Sequence, residues 1–131
     1  MVDPYEKRIE SKINDIVKDS GEVIEKLSYP LSEIGEKIIC LLLNYACDSS
    51  NMALITLSKK KLAQVPRETM LKAIPHIVYN TIDLSDDWQY RRFVELIICL
   101  VPQLLSWILE YGRNSDNPEI REAVCDYEQD M

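Results

Sequence analysis

Glycine is nearly missing from this chain: three in 131 residues, alongside one phenylalanine and one histidine. So few glycines leave no phosphate-cradling loop and no serine on a nucleophile elbow, and a single histidine rules out an HExxH metal motif. Glycine and aromatic scarcity against abundant Leu, Ile, Glu and Lys also disfavours sheet and favours helix. Basic residues are in deficit, 15 against 22 acids, for a formal charge of −7. That excludes the cationic footprint a nucleic-acid binder needs and suits a basic protein partner. No apolar run reaches the ~20 residues that cross a bilayer. The longest, 96–109, is interrupted by Pro102, Gln103 and Ser106. Residues 1–10 are charged where a signal peptide needs an apolar stretch, so no membrane association and a cytoplasmic location are expected.

The four cysteines, Cys40, Cys47, Cys99 and Cys125, lack the two-to-four-residue spacing of zinc ligand pairs. They are expected to be buried, reduced and inert, with no metal and no cofactor. His76, between Pro75 and Ile77, is expected to be a packed or surface residue. A helical enzyme would need a polar pocket around it. Asp86 and Asp87 are neighbours whose side chains diverge by about 100° on a helix, which suits capping better than acid–base work. Lys59, Lys60 and Lys61 sit where a helix end favours cations. No catalytic residue is assigned.

What is there is a helical pattern. Apolar residues make up 47% of the chain, enough for one core, and residues 1–131 read as a single domain. Asp3, Pro4 and Glu6 form a helix start, followed by an apolar stripe of Ile9, Ile13, Ile16, Val17, Ile24 and Leu27, with a break expected at Ser20-Gly21. Residues 1–29 are thus an N-terminal helix. A second helix follows Pro30 with Ile34, Ile38, Ile39, Leu41, Leu42 and Tyr45 inward. A third spans about 52–63 after the Cys47–Asn51 turn. Pro66 opens a fourth, with Met70, Ile74, Ile77 and Val78 inward, and a fifth spans 88–100. A sixth follows Pro102 and ends at a Gly112 C-cap. The last starts after Ser115-Asp116-Asn117-Pro118. No segment alternates as a half-buried strand would.

Pro30, Pro66 and Pro102 are spaced 36 residues apart. Ile34, Ile38, Leu41 and Leu42 recur at that offset as Met70, Ile74, Ile77 and Val78. A second correspondence, Ser85–Arg91 with Ser115–Arg121, has an offset of 30, so the last unit is shorter. A period in the thirties built from two helices is the mark of an α-solenoid. On these residues, and on Asp-Asn-Pro-Glu-Ile-Arg (116–121), the chain resembles the HEAT and armadillo group over residues 30–131. The resemblance implies an all-α fold, a right-handed stack of antiparallel helix pairs with about five to seven helices. It also implies Asp86–Arg91 and Asp116–Arg121 pairs tying neighbouring repeats together. An ordinary helical bundle is the alternative.

Charge is unevenly placed. Residues 102–131 hold seven acids and two bases, and Glu119, Glu122 and Asp126 share one helical face. Trp88, in a first helical turn beside Asp86 and Asp87, reads as an interface anchor. The expected partner-binding set is Asp86, Asp87, Trp88, Arg92, Glu95, Glu119, Glu122 and Asp126. The stretches Asp87–Arg92 and Ser115–Ala123 are similar to small helical immunity proteins of bacterial contact-dependent growth inhibition systems. That resemblance implies an acidic module that binds and blocks a basic protein, most concretely a nuclease toxin. The alternative is an α-solenoid adaptor or assembly protein with no toxin partner.

Overall fold

The computed structural model describes residues 4–17 and 23–129, all of whose regular structure is helical. Seven α-helices follow in order: α1 (Pro4–Val17), α2 (Glu33–Asp48), α3 (Met52–Leu62), α4 (Arg67–Ile77), α5 (Asp87–Leu100), α6 (Leu105–Arg113) and α7 (Pro118–Glu128). Short 3-10 turns lie at Ile24–Lys26, Val78–Asn80 and Pro102–Leu104. The all-α expectation and its helix number hold.

Helix starts are set by local chemistry. Ser32 accepts the Gly35 amide N–H at 3.0 Å, and Asn51 accepts those of Ala53 and Leu54 at 2.9 and 3.2 Å. Asp86 takes the Gln89 N–H at 3.3 Å, and Asn117 takes that of Glu119 at 2.9 Å with Pro118 in the first turn. Each satisfies a donor that the first helical turn would otherwise leave unpaired. The expected Asp3 cap and the Ser20-Gly21 break lie outside the described residues.

Three expectations need correction. Ile24 and Leu27 are buried, but they belong to the 3-10 turn and its exit rather than to the stripe of α1. The Thr69 hydroxyl of α4 donates to the Leu27 carbonyl at 2.7 Å and fixes that turn to the core. Gly112 is no C-cap: it lies inside α6 and is buried. A Cβ there would overlap the Tyr90 hydroxyl and the Val124 side chain, so the glycine permits close packing of α5, α6 and α7. The Asp–Arg pairs also do not form. Arg91 reaches across to Asp126 at 3.1 Å, and Arg121 donates to the Ser115 carbonyl at 2.7 Å. The parallel course of α5 and α7 carries Arg91 to α7 rather than back to its own turn.

One continuous core runs from Ile9 to Val124. Helix α1 packs on α2 and α3, α2 packs on α3 and α5, and α5 packs on α6 and α7, which also pack on each other. Helices α2 and α3 pack closely, as do α6 and α7, whereas α4 and α5 are not among the closely packed pairs. Helix α5 is the hub. It buries Tyr90, Phe93, Val94, Leu96 and Ile97 against both halves of the molecule.

Candidate protein-binding surface

The outward face of α5 presents the exposed residues of the candidate surface. Trp88 is 50% exposed, although core tryptophans are mostly covered. Its position explains this: the following turn of α5 turns Tyr90, Phe93 and Val94 inward, which sends residues 88 and 92 outward together. The Arg92 guanidinium lies over the indole, 4.3 Å from the ring centroid, in a cation–π contact that holds both side chains. The same guanidinium donates toward the Met52 sulfur at 3.8 and 3.9 Å. Met52, the first residue of α3, is 59% exposed. It was not anticipated, although an apolar residue directly after the Asn51 cap, off the inward stripe, was a usable signal. Trp, Arg and Met are the residue types enriched at protein interfaces.

The remaining expected residues separate into three groups. Asp86 and Asp87 sit at the start of α5, Asp86 as its cap and Asp87 in its first turn, both partly buried. Glu95 and Asp126 lie at the seam between α5 and α7. Glu95 accepts the Tyr127 hydroxyl at 3.1 Å, and Asp126 pairs with Arg91. Burial, with the Glu95 carboxylate beside it, pushes the Tyr127 hydroxyl up to about 12. Glu119 and Glu122 stand exposed on the outer face of α7 and make no ion pair among the described residues.

The C-terminal acids are accordingly less free than their number suggests. Arg113 holds Glu110 at 2.6 Å and also Glu128, and Arg91 holds Asp126. Asp130 lies outside the described residues. Asp116, Glu119 and Glu122 make no ion pair among the described residues. The expectation of four buried cysteines also needs revision: Cys47 is buried, its thiol pushed up to about 12 by burial, while Cys99 and Cys125 are exposed. No cluster of three metal-ligating side chains occurs among the described residues. His76 is exposed and stacks on Tyr29 with ring centroids 6.1 Å apart. No helix among the described residues is long and apolar enough to cross a membrane.

Comparison with known proteins gives one informative likeness. The chain is 34% identical over 55 residues to the FAD assembly factor SdhE of Photorhabdus laumondii subsp. laumondii. The match covers 42% of this chain, and the chain spans 61% of the length of that protein. No family model and no solved structure matches. This likeness overturns the immunity-protein expectation. The partial resemblance to toxin inhibitors rested on turn and charge patterns of the C-terminal third, which any capped acidic helix can share. The matched relative is an assembly factor, which agrees with the alternative reading and not with a nuclease toxin as partner.

Proposed function

We propose that this chain is a non-catalytic assembly factor that docks on a client protein while the client acquires FAD. The likeness to the FAD assembly factor is the observation that carries the reading. The Trp88–Arg92–Met52 cluster supplies the docking face the reading needs. An aromatic side chain buries about 150–250 Å² in a core or interface. Covering the exposed half of Trp88 removes roughly 100 Å² from water and contributes about 2–3 kcal/mol, the scale of an interface anchor. The Arg92 contact orients the indole beforehand and so lowers the ordering cost on binding. Glu119 and Glu122 form an acidic rim that steers the client, acting on association rate more than on final affinity.

The test is FAD loading of a client. The tagged chain captures its partners from the native host, and flavoproteins among them are prepared as apoproteins. Each is mixed with FAD, with and without the chain, and FAD retained after gel filtration is read by absorbance. The chain should raise the rate or yield of loading. Trp88→Ala should weaken the complex by about tenfold or more and lose the effect while melting at the wild-type temperature. FAD loading that is the same with and without the chain for every captured flavoprotein would overturn the proposal.

A further inference from the structure

A second surface lies apart from the Trp88 cluster. Three hollows of about 570, 630 and 610 Å³ lie side by side. Asn80 and Thr81 line both the first and the second, and Leu84, Ser85 and Tyr111 line both the second and the third. Shared walls make them one trough, running from the outer side of α2 across the turn before α5 to the α6–α7 turn. Each hollow has the size of a ligand pocket. Their arrangement end to end suits an extended chain better than a compact molecule.

Two tyrosines line the middle hollow, and one of them is braced from within the fold. Tyr79 and Tyr111 are 48% and 39% exposed, with ring centroids 5.7 Å apart. Trp107 meets Tyr79 edge-on at 6.3 Å and rests in turn on the buried Phe93 at 6.2 Å. Tyr79 is therefore braced by Trp107 and packs against Tyr111, and both tyrosines present ring surface to solvent.

The charge around them has one sign. Asp48 and Asp83 line the middle hollow and Asp116 the far one, and neither is lined by a lysine or arginine. None of the three carboxylates makes an ion pair among the described residues. Asp83 accepts the Ser85 amide and hydroxyl at 2.9 and 2.5 Å, which holds its carboxyl below the ordinary aspartate range. It is ionised at neutral pH. Lys37, on the near hollow, is countered by Glu36 in the same wall and by Glu33 at 3.5 Å.

We infer that this trough receives an extended, arginine- or lysine-bearing segment of the partner protein, its cations resting on the Tyr79–Tyr111 floor between Asp48, Asp83 and Asp116. Ring faces and carboxylates together are the pair of features that hold a guanidinium or ammonium group. The inference rests on the docking reading only in taking the partner to be the client. The recognition chemistry is independent of FAD.

The probe is a fluorescein-labelled extended peptide in which arginine alternates with leucine and threonine, with a glutamate-for-arginine peptide as comparison. Binding is read by fluorescence anisotropy at low and moderate salt. The arginine peptide should bind and the glutamate peptide should not. Tyr79→Ala with Tyr111→Ala should weaken binding about tenfold, and Asp83→Asn with Asp116→Asn about fivefold or more. The exposed pair Glu25→Gln with Glu68→Gln removes the same net charge at residues that line none of the three hollows and should leave affinity within about twofold. Equal weakening by both charge pairs would reduce the effect to the overall field of an acidic protein and overturn the inference, as would full binding to the tyrosine variant. Trp88 does not line the trough, so Trp88→Ala should bind the peptide as wild type does. A peptide-binding Trp88→Ala that still loads the client sinks the docking reading alone. Trough variants that lose neither peptide nor client sink the trough alone.

Discussion

Replacing Gly112 by alanine should destabilise this protein, against the usual direction of that change. In an ordinary helix interior, alanine in place of glycine gains about 1 kcal/mol by restricting the unfolded backbone. Here the new methyl would lie 2.5 Å from the Val124 Cγ2 and 2.7 Å from the Tyr90 Cζ, and would overlap the Tyr90 hydroxyl. Carbon atoms in good contact sit about 3.5–4.0 Å apart, so something must move by roughly an ångström. The Tyr90 ring is fully buried, and its hydroxyl donates to the Ile108 carbonyl at 2.8 Å. Displacing the ring therefore strains the packing, at about 1–3 kcal/mol, and puts a buried hydrogen bond worth about 1 kcal/mol at risk. After the backbone gain is offset, a net loss of about 1–3 kcal/mol is expected, or roughly 4–10 °C in Tm.

Urea denaturation followed by far-UV circular dichroism measures the loss, and a second substitution tests its cause. Tyr90→Phe removes the oxygen that the methyl meets first. Alone it should cost about 1 kcal/mol through the lost hydrogen bond. Added to Gly112→Ala it should cost less than that or recover stability, with a coupling of at least about 0.5 kcal/mol. A Gly112→Ala protein as stable as wild type, or strictly additive effects in the double variant, would refute the close-approach argument.

Asp86→Ala should lower stability by about 1 kcal/mol in thermal melts, because it removes the acceptor for the Gln89 amide, while Asp87→Ala changes less. Stability should be full below the ordinary tyrosine value of 10.0 and fall as pH rises through the Tyr127 value of about 12, because the fold holds that proton more tightly than the unfolded chain does. Tyr127→Phe should flatten the alkaline loss in denaturation series at stepped pH. Cys99 and Cys125 should react rapidly with a water-soluble disulfide reagent, and Cys47 should react only as fast as the protein opens, since burial pushes its thiol up to about 12.

Helix periods and caps were legible because they are local. The Asn51 turn, the Asp86 cap and Pro118 in the first turn of α7 follow from short-range hydrogen-bond chemistry written in consecutive residues. So did the inward faces of α2 and α4, although Ile34, Leu41 and Tyr45 prove only partly buried. What was not legible depends on which helices meet. Gly112 reads as a terminator along the chain, and only the approach of Tyr90 and Val124 reveals a packing role. The partner of Arg91 is 35 residues away on α7, a pairing that α5–α7 contact creates and no spacing predicts. Tyr79 and Tyr111 lie in separate elements, so their shared floor had no signature in either segment. Trp88 was different. Its place in a first helical turn beside two aspartates already put it outside the stripe formed by Tyr90, Phe93 and Val94.

The same helix that organises the core also presents the proposed docking residues, and this makes the surface stiff. Helix α5 is anchored by the Asp86 cap at its start, by Tyr90 and Phe93 in the core, and along its flank by the Arg91–Asp126 and Tyr127–Glu95 contacts. Trp88 and Arg92 project from that fixed rod and restrain each other. A preorganised anchor loses little side-chain freedom when covered, so more of its burial free energy appears as affinity. It also separates two kinds of substitution. Changes at Trp88, Arg92 or Met52 remove contact area that the unbound protein leaves in water, and on the proposed docking reading they should act on binding. Changes at Glu95, Tyr127, Arg91 or Asp126 loosen the seam that holds the rod, so any binding defect they produce arrives together with a loss of stability.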